Sequence, residues 1–275
     1  MPAIQTPNSI SELLKLVARH GKRSLFVSGV DPSGDRIPAG KVIIDLTGVS
    51  PLNEIERKRY KVTIGTGINL GRLAREASGE NGLLRQAASI IANPLVRNKV
   101  TFVEALDEES PYFDITTPLV LLEAKVRVQS PASKRSLSIR DFLDAVTKGL
   151  KKGEMPTVVE FNTLPPDSKV GFFRVARLGG KGSVSAAARM KLVRTVCVQP
   201  EIVVSSLTLI PVRAKLAEKE IAGKPANEGS IKRASQIAAD EILAMSKKDN
   251  PYERTLIEIA VARTLRSIME GSIPG

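Results

Sequence analysis

An α+β fold is what this 275-residue chain predicts, on three observations. Residues 1–60 read as one amphipathic helix followed by short strands. A second α+β stretch, 61–166, runs up to Pro165-Pro166, whose polar surroundings mark a boundary. Residues 167–275 change texture: strands flank a Gly-rich segment and long amphipathic helices follow. A three-stranded antiparallel sheet backed by helices is the economical arrangement for them.

The first helix spans Ser9–Arg19. Leu13, Leu14, Val17 and Ala18 recur at helical spacing, Ser9 and Glu12 form a capping box, and Gly21 ends it. Ser24–Val27 is a short strand, and Ser28–Gly40, dense in Gly, Pro and Asp, predicts a loop. Val42–Leu46 and the alternating Tyr60–Gly65 are further strands. Ile68–Ala77 reads as a helix with Asn69 near its start, and Leu83–Ile91 as another. Ile90–Leu106 then reads as a helix end, a turn at Asn93-Pro94, a basic segment with Arg97 and Lys99, and a loop beginning at Thr101. Pro118–Val128 predicts a strand, Ser138–Val146 a capped helix and Thr157–Thr163 a strand. Further on, Gly171–Ala176, Ala186–Val198 and Ile202–Leu209 predict strands. Pro211–Ile221, Ser230–Met245 and Pro251–Met269 predict helices, the last with Asn250 as cap and Pro251 at its first position.

Composition narrows the function. Hydrophobic residues make up 42% and charged residues 25%, an ordinary globular balance. No apolar run is long enough to cross a bilayer, and the N-terminus lacks the order of a secretory signal, so a cytoplasmic protein is expected. One cysteine excludes an internal disulfide framework and a cysteine-based metal cluster. The net charge of +12 points to a polyanion or an acidic partner. The basic residues are scattered, however, with only short clusters such as Lys22-Arg23, Arg57-Lys58-Arg59 and Lys151-Lys152. Aromatics are 4% and Trp is absent, so base stacking is poorly supplied. A nucleic-acid binder is therefore disfavoured against a basic surface facing a partner subunit.

Few side chains suggest covalent chemistry. His20 stands alone and reads as a surface histidine, and Cys197 lies in an alternating strand as a small hydrophobe. Asp107, Glu108, Glu109 and Asp114 suit a solvated acidic loop better than a metal site. The Gly-rich loops are the better lead. Val27–Gly34 follows a strand, and Gly179–Ser183 lies between strands. Glycines allow close backbone approach, and consecutive N–H groups can cradle a phosphate. The second loop is not a Walker A motif, since its spacing differs and no helix follows.

Several blocks in order carry a family resemblance: VSGVDP, VIIDLTGVSPLNEI, VTIGTGINLGRLA, IIANPLVRNKVT, FDITTPLVLLEAKV and FRVARLGGKGSVSAAARM, with PYER near the last helix. Over nearly its whole length the chain resembles the medium, FAD-binding subunit of molybdenum hydroxylases, such as carbon monoxide dehydrogenase and the flavin domain of xanthine dehydrogenase. The most specific block is IIANPLVRNKVT, close to the family's IASPQIRNRAT. The resemblance implies a two-lobed FAD-binding (PCMH-type) domain, with subdomains 1–60 and 61–166, and a separate C-terminal domain, 167–275. It also implies an electron-transfer role. FAD would receive electrons from an iron–sulfur subunit serving a large molybdenum-cofactor subunit and pass them to an acceptor, within a dimer of heterotrimers. No membrane is implied.

Carried over residue by residue, the family's first pyrophosphate loop falls on Val27, Ser28, Gly29, Val30, Asp31 and Pro32, and its second on Thr101–Ala105. Asp114 matches an acidic residue that contacts the cofactor's sugar portion. Arg174 sits where relatives often carry lysine near the flavin ring, and Gly182 and Ser183 fall beside that ring. The second loop departs from the pattern: Phe102-Val103-Glu104-Ala105 replaces the family's IGGN. Val103 at a left-handed position would be strained, and Glu104 would bring negative charge towards a pyrophosphate. These departures open two further readings: a same-fold subunit that no longer binds FAD and serves in structure or docking, and a basic polyanion-binding module.

Overall fold

The computed structural model describes residues 4–29, 40–77, 82–176, 183–207, 210–246 and 250–270. In chain order come β1 (Ile4–Gln5), α1 (Ile10–His20), β2 (Ser24–Val27), β3 (Val42–Asp45), β4 (Ile55–Lys58), β5 (Lys61–Gly65), α2 (Leu70–Glu76) and α3 (Leu83–Ile91). The single-turn helices α4 (Pro94–Arg97) and α5 (Phe102–Ala105) follow, then α6 (Thr116–Leu121), β6 (Lys125–Gln129), β7 (Lys134–Ser138), α7 (Ile139–Thr147) and β8 (Met155–Asn162). The last elements are β9 (Lys169–Ala176), β10 (Ser183–Val193), β11 (Val196–Ser205), β12 (Val212–Arg213), α8 (Lys215–Ile221), α9 (Glu228–Ser246) and α10 (Pro251–Glu270). The class is α+β, as the sequence predicts.

Two compact units form, each from three stretches of chain. The first comprises Met1–Ala77, Ala92–Phe113 and Glu123–Thr163; the second comprises Ser78–Ile91, Asp114–Leu122 and Leu164–Gly275.

In the first unit, β1, β3 and β2 pair in that order as a parallel sheet, and β4-β5-β8-β6-β7 form an antiparallel one. Helix α1 starts where the capping box predicts. Ser9 Oγ accepts from the Glu12 N–H at 3.2 Å, and the Glu12 carboxylate accepts from the Asn8 N–H at 3.0 Å. Gly21 closes the helix at φ +54°. The buried face of α1, Leu13, Leu14 and Val17, packs with Ile44, Leu46, Val49, Leu52, Val103 and Met155. Burying each such leucine contributes about 2 kcal/mol. Gly65 is required by packing: a Cβ there would lie 2.4 Å from the Leu52 carbonyl.

In the second unit, β9, β10 and β11 make the expected three long antiparallel strands, and the two-residue β12 pairs at the edge of β11. Their core cluster joins Val184, Ala186, Ala188, Ile202 and Val204 to α8, α9 and α10. Buried carboxylates tie backbone to helices. Glu218 accepts from the Ile202 N–H at 2.9 Å and forms a two-pronged pair with Arg213, while Glu241 accepts from the Leu216 N–H at 2.8 Å near the start of α8.

Four expectations need correction. Pro118–Val128 is not one strand: Thr116–Leu121 is helical, Glu123 turns at φ +50° and β6 begins at Lys125. Every residue of α6 is buried, so its sequence shows no polar face to reveal the helical period. Ala186–Val198 is not one strand either. Val193 pairs with Val196 across a two-residue turn, with Arg194 at φ +57° where a glycine or asparagine would have signalled the hairpin. Pro211–Ile221 begins with the strand β12, and its helix starts only at Lys215. His20 is half-buried rather than on the surface, and its Nδ1 has no hydrogen-bond partner among the described residues.

Candidate functional site

Each unit gathers part of the predicted set. In the first unit, parallel β2 and β3 end side by side, with Val27 opposite Asp45. Ligands of open parallel sheets collect beyond such carboxyl ends. Val27 and Ser28 are half-buried. Gly29 is exposed at φ +79°, and a Cβ there would meet nothing within 4 Å. The Asp45 carboxylate organises this corner. Its Oδ1 accepts from the Gly29 N–H at 3.2 Å, the Thr47 N–H at 3.0 Å and the Thr47 hydroxyl at 2.7 Å. Val30 and Asp31, predicted with Gly29, lie outside the described residues, as does Pro32.

The stretch expected as a loop from Thr101 is a capped turn of helix. Thr101 is fully buried, and its Oγ1 accepts from the Glu104 N–H at 3.3 Å. The Phe102 N–H donates to the Ile68 carbonyl and the Val103 N–H to the Thr66 carbonyl, both at 2.7 Å. The Ala105 N–H returns to the Thr101 carbonyl at 3.1 Å. No residue from 101 to 106 has a positive φ, so Val103 carries no backbone strain, contrary to expectation. Instead its side chain joins the α1 cluster, against which Phe26 of β2 also packs. Thus α5 adjoins the strand that leads into Val27–Gly29.

Glu104 completes this turn. Burial pushes its carboxyl up to about 7, against a lowering hydrogen bond from the Thr101 backbone, while Asp107 adds like charge. Thr101 and Glu104 thus form a capping box of the T-x-x-E type, a signal legible in TFVE. The backbone amides of 102–105 are all engaged inside the protein, so this turn has none to offer a phosphate.

In the second unit, three predicted residues far apart in sequence meet. Asp114 is 5% exposed, and its Oδ2 accepts from Arg174 Nε at 2.5 Å and from the Ser183 hydroxyl. Arg174 Nη1 donates to the Ile91 carbonyl at 3.3 Å, so the guanidinium is anchored on two sides. Strand pairing sets this up: Arg174 lies opposite Ser185, and the Ser185 hydroxyl is 2.8 Å from that of Thr117, one turn beyond Asp114. Gly182 and most of the Gly179–Ser183 loop lie outside the described residues.

Other candidates bring no chemistry together. Among the described residues, no group of His, Cys, Asp and Glu could hold a metal ion. Cys197 is buried, and desolvation raises its thiol pKa, as suits an inert packing residue. No described helix is long and apolar enough to cross a membrane.

For FAD, each unit is tested by itself: in the first, the left-handed Gly29 leaves room for a phosphate to approach the backbone, and in the second, the Asp114–Arg174–Ser183 set is a fixed polar cluster suited to a polar group of the cofactor. The amides of α5 do not serve it, so any role for that turn is one of shape.

Known proteins share this fold end to end. The chain is similar to the glyceraldehyde dehydrogenase medium chain of Sulfolobus acidocaldarius, 23% identical over 244 residues and covering 85% of each chain. It is also similar to the 6-hydroxypseudooxynicotine dehydrogenase complex subunit alpha of Paenarthrobacter nicotinovorans, 22% identical over 97% of this chain and 94% of that one. In fold it matches a chain of Cu,Mo-CO dehydrogenase in its cyanide-inactivated form, with TM-score 0.80, 18% identity and coverage of 99% and 100%. It likewise matches a chain of quinoline 2-oxidoreductase from Pseudomonas putida 86, with TM-score 0.77, 20% identity and coverage of 100% and 99%. Residues 2–161 match the family described as the FAD binding domain in molybdopterin dehydrogenase, and the chain belongs to that family, as a medium, FAD-binding subunit of the molybdenum hydroxylase type.

Proposed function

We propose that this chain is the flavoprotein subunit of a cytoplasmic molybdenum hydroxylase complex, partnered by an iron–sulfur subunit and a large molybdenum-cofactor subunit. Bound FAD would supply the redox chemistry, accepting electrons from the iron–sulfur centres and passing them to an acceptor. The chain's own residues bind and orient. Val27, Ser28 and Gly29 form the strand end on the phosphate side; the Gly29 N–H is held by Asp45, and what Gly29 contributes is the close approach that its missing Cβ and left-handed backbone allow. Asp114 addresses the sugar portion. Asp114 and the Ile91 carbonyl hold Arg174 in one orientation, so its fixed positive charge and the Ser183 hydroxyl can face the ring. The division 1–60, 61–166 and 167–275 belongs to the same proposal.

One observation carries this reading beyond family membership: a single buried carboxylate gathers Arg174 and Ser183 across 60 and 69 residues of sequence. The test is spectroscopic. Chain purified from co-expression with its companions should be yellow, and denaturation should release one fluorescent flavin per chain. Colourless protein that takes up no added FAD would sink the proposal. The engaged amides of α5 favour a second reading, a structural or docking subunit without flavin. Under that reading, Val103→Gly with Glu104→Gly would create flavin uptake that the natural chain lacks.

A further inference from the structure

One face of the five-stranded sheet of the first unit is apolar; the other is polar and exposed around Lys58, Lys61 and Lys125, while Gly65 and Val158 on that same face are buried, Gly65 under the Leu52 backbone. Cross-strand partners on the polar face form rows. Lys58, Lys61 and Asn162 make one; Glu56, Thr63, Glu160 and Lys125 the next; Gly65, Val158 and Arg127 a third. Lys58, Lys61 and Lys125 are exposed and Arg127 is half-buried. Lys61 and Arg127 flank the Glu160 carboxylate at 2.8 and 3.7 Å, and Lys58 pairs with Glu56 at 2.7 Å. Four cations therefore face two carboxylates. Adjacent strands lie about 4.8 Å apart, so the cations from β4 to β6 fall within roughly 15 Å. Neighbouring cations lie within about a Debye length of one another, about 8–10 Å, so their fields add pairwise, while the two ends of the patch are largely screened from each other.

The β4–β5 hairpin ends this face with a two-residue turn, Arg59-Tyr60. Arg59 sits at φ +38°, where such turns ordinarily take glycine or asparagine. Its guanidinium lies 4.9 Å from the centre of the Tyr60 ring, and Tyr60 is 64% exposed. The hairpin does not need a long cation in a left-handed conformation beside a bare aromatic ring in order to fold. Such strain gathers where function holds it. Tyrosine and arginine are also the residues that dominate binding energy at protein interfaces. The polar strand face carries no aromatic residue, so it offers no platform for stacked bases.

We infer that this face and the Arg59-Tyr60 tip form a docking surface for an acidic face of a companion protein subunit. Carboxylates of the companion meet Lys58, Lys61, Lys125 and Arg127, and Tyr60 with Arg59 is the anchor. The inference rests on the subunit reading above and adds where the companion binds and with what chemistry.

The test uses the full chain, tagged and purified from its own host with its companions, which are identified by mass and by molybdenum and iron content. Zero-length carbodiimide cross-linking joins amines to carboxylates already in contact. It should link Lys58, Lys61 or Lys125 to aspartates or glutamates of one companion. Lys58→Glu with Lys125→Glu, which leaves the Lys61–Glu160 pair intact, should weaken assembly about tenfold or more. Arg59→Gly should weaken assembly while the isolated chain melts no lower than the natural one, which separates docking from folding. Undiminished assembly of both variants, with cross-links only from other lysines, overturns the inference and leaves the subunit reading standing. Variants that keep their companions but lose binding to duplex DNA also overturn it. A natural chain that brings down no companion overturns both.

Discussion

Glu104 is half-buried at the start of a single helical turn, and its carboxyl is pushed up to about 7. An unfolded glutamate titrates near about 4.3. Between those values the folded chain holds a proton that the unfolded chain releases, so stability falls as pH rises and the cost is complete above about 7. Allowing for partial exposure, the natural chain should lose on the order of 2 kcal/mol to this group between pH 5 and 8. Glu104→Gln keeps the acceptor of the capping box and removes the charge. Urea unfolding should show the variant gaining that amount at pH 8 and nothing at pH 5; a constant difference across the range would refute the assignment. A second residue, Asp114, neutralises a largely buried guanidinium whose side chain is 16% exposed. Asp114→Asn should cost about 3 kcal/mol in thermal unfolding, since it leaves Arg174 without its counter-charge. The sequence put Asp114, Arg174 and Ser183 on one candidate list only through a family resemblance. No local pattern tells that β9 and β10 carry Arg174 and Ser183 to one carboxylate. Charge counting likewise treats Glu104 as a fixed anion, whereas burial raises its carboxyl to about 7, and burial is not written in local sequence.

Elements with strong local signals were legible. Ser9 and Glu12, Gly21, Asn69, and Asn250 before Pro251 mark helix ends that the structure keeps at or within a residue of the expected place. Elements that lack a polar face or a turn residue were not, as α6 and the β10–β11 hairpin demonstrate. Strands β1 and β7 escaped notice because β1 has two residues and β7 shows little apolar alternation at the sheet edge. The α5 turn tests the capping argument directly. Thr101→Ala removes the buried Oγ1 acceptor and should cost about 1 kcal/mol, read as a lowered urea midpoint. Helix packing gives another test. A Cβ at Gly171 would stand 2.6 Å from both the Thr264 carbonyl oxygen and Ser267 Oγ of α10. Gly171→Ala should therefore destabilise the chain by about 2 kcal/mol, because the backbones of β9 and α10 must separate. An unchanged melting temperature would count against that close approach.

At the scale of the molecule, neither unit is a continuous piece of chain. The second unit includes α3 and α6, which precede β9 by many tens of residues, and α6 delivers Thr117 to Ser185. Residues 164–275 expressed alone would leave the side of the sheet that α3 and α6 cover bare. That fragment should be aggregation-prone and lack a cooperative melt, whereas the full chain melts cooperatively. A sharp calorimetric transition for the fragment would show the borrowed helices to be dispensable. The interlacing also sets a timetable on the ribosome. β8 lies third in the five-stranded order, between β5 and β6, so β5 waits for the Met155–Asn162 segment to emerge before gaining its inner neighbour. Helix α3, already synthesised, must wait longer still for β9. During that interval the nascent chain displays the apolar flank Leu83, Leu84, Ala87, Ala88 and Ile91 with nothing to cover it. Translation speed across the middle third, and the chaperones present while it is made, should therefore govern how much of the chain reaches its folded state.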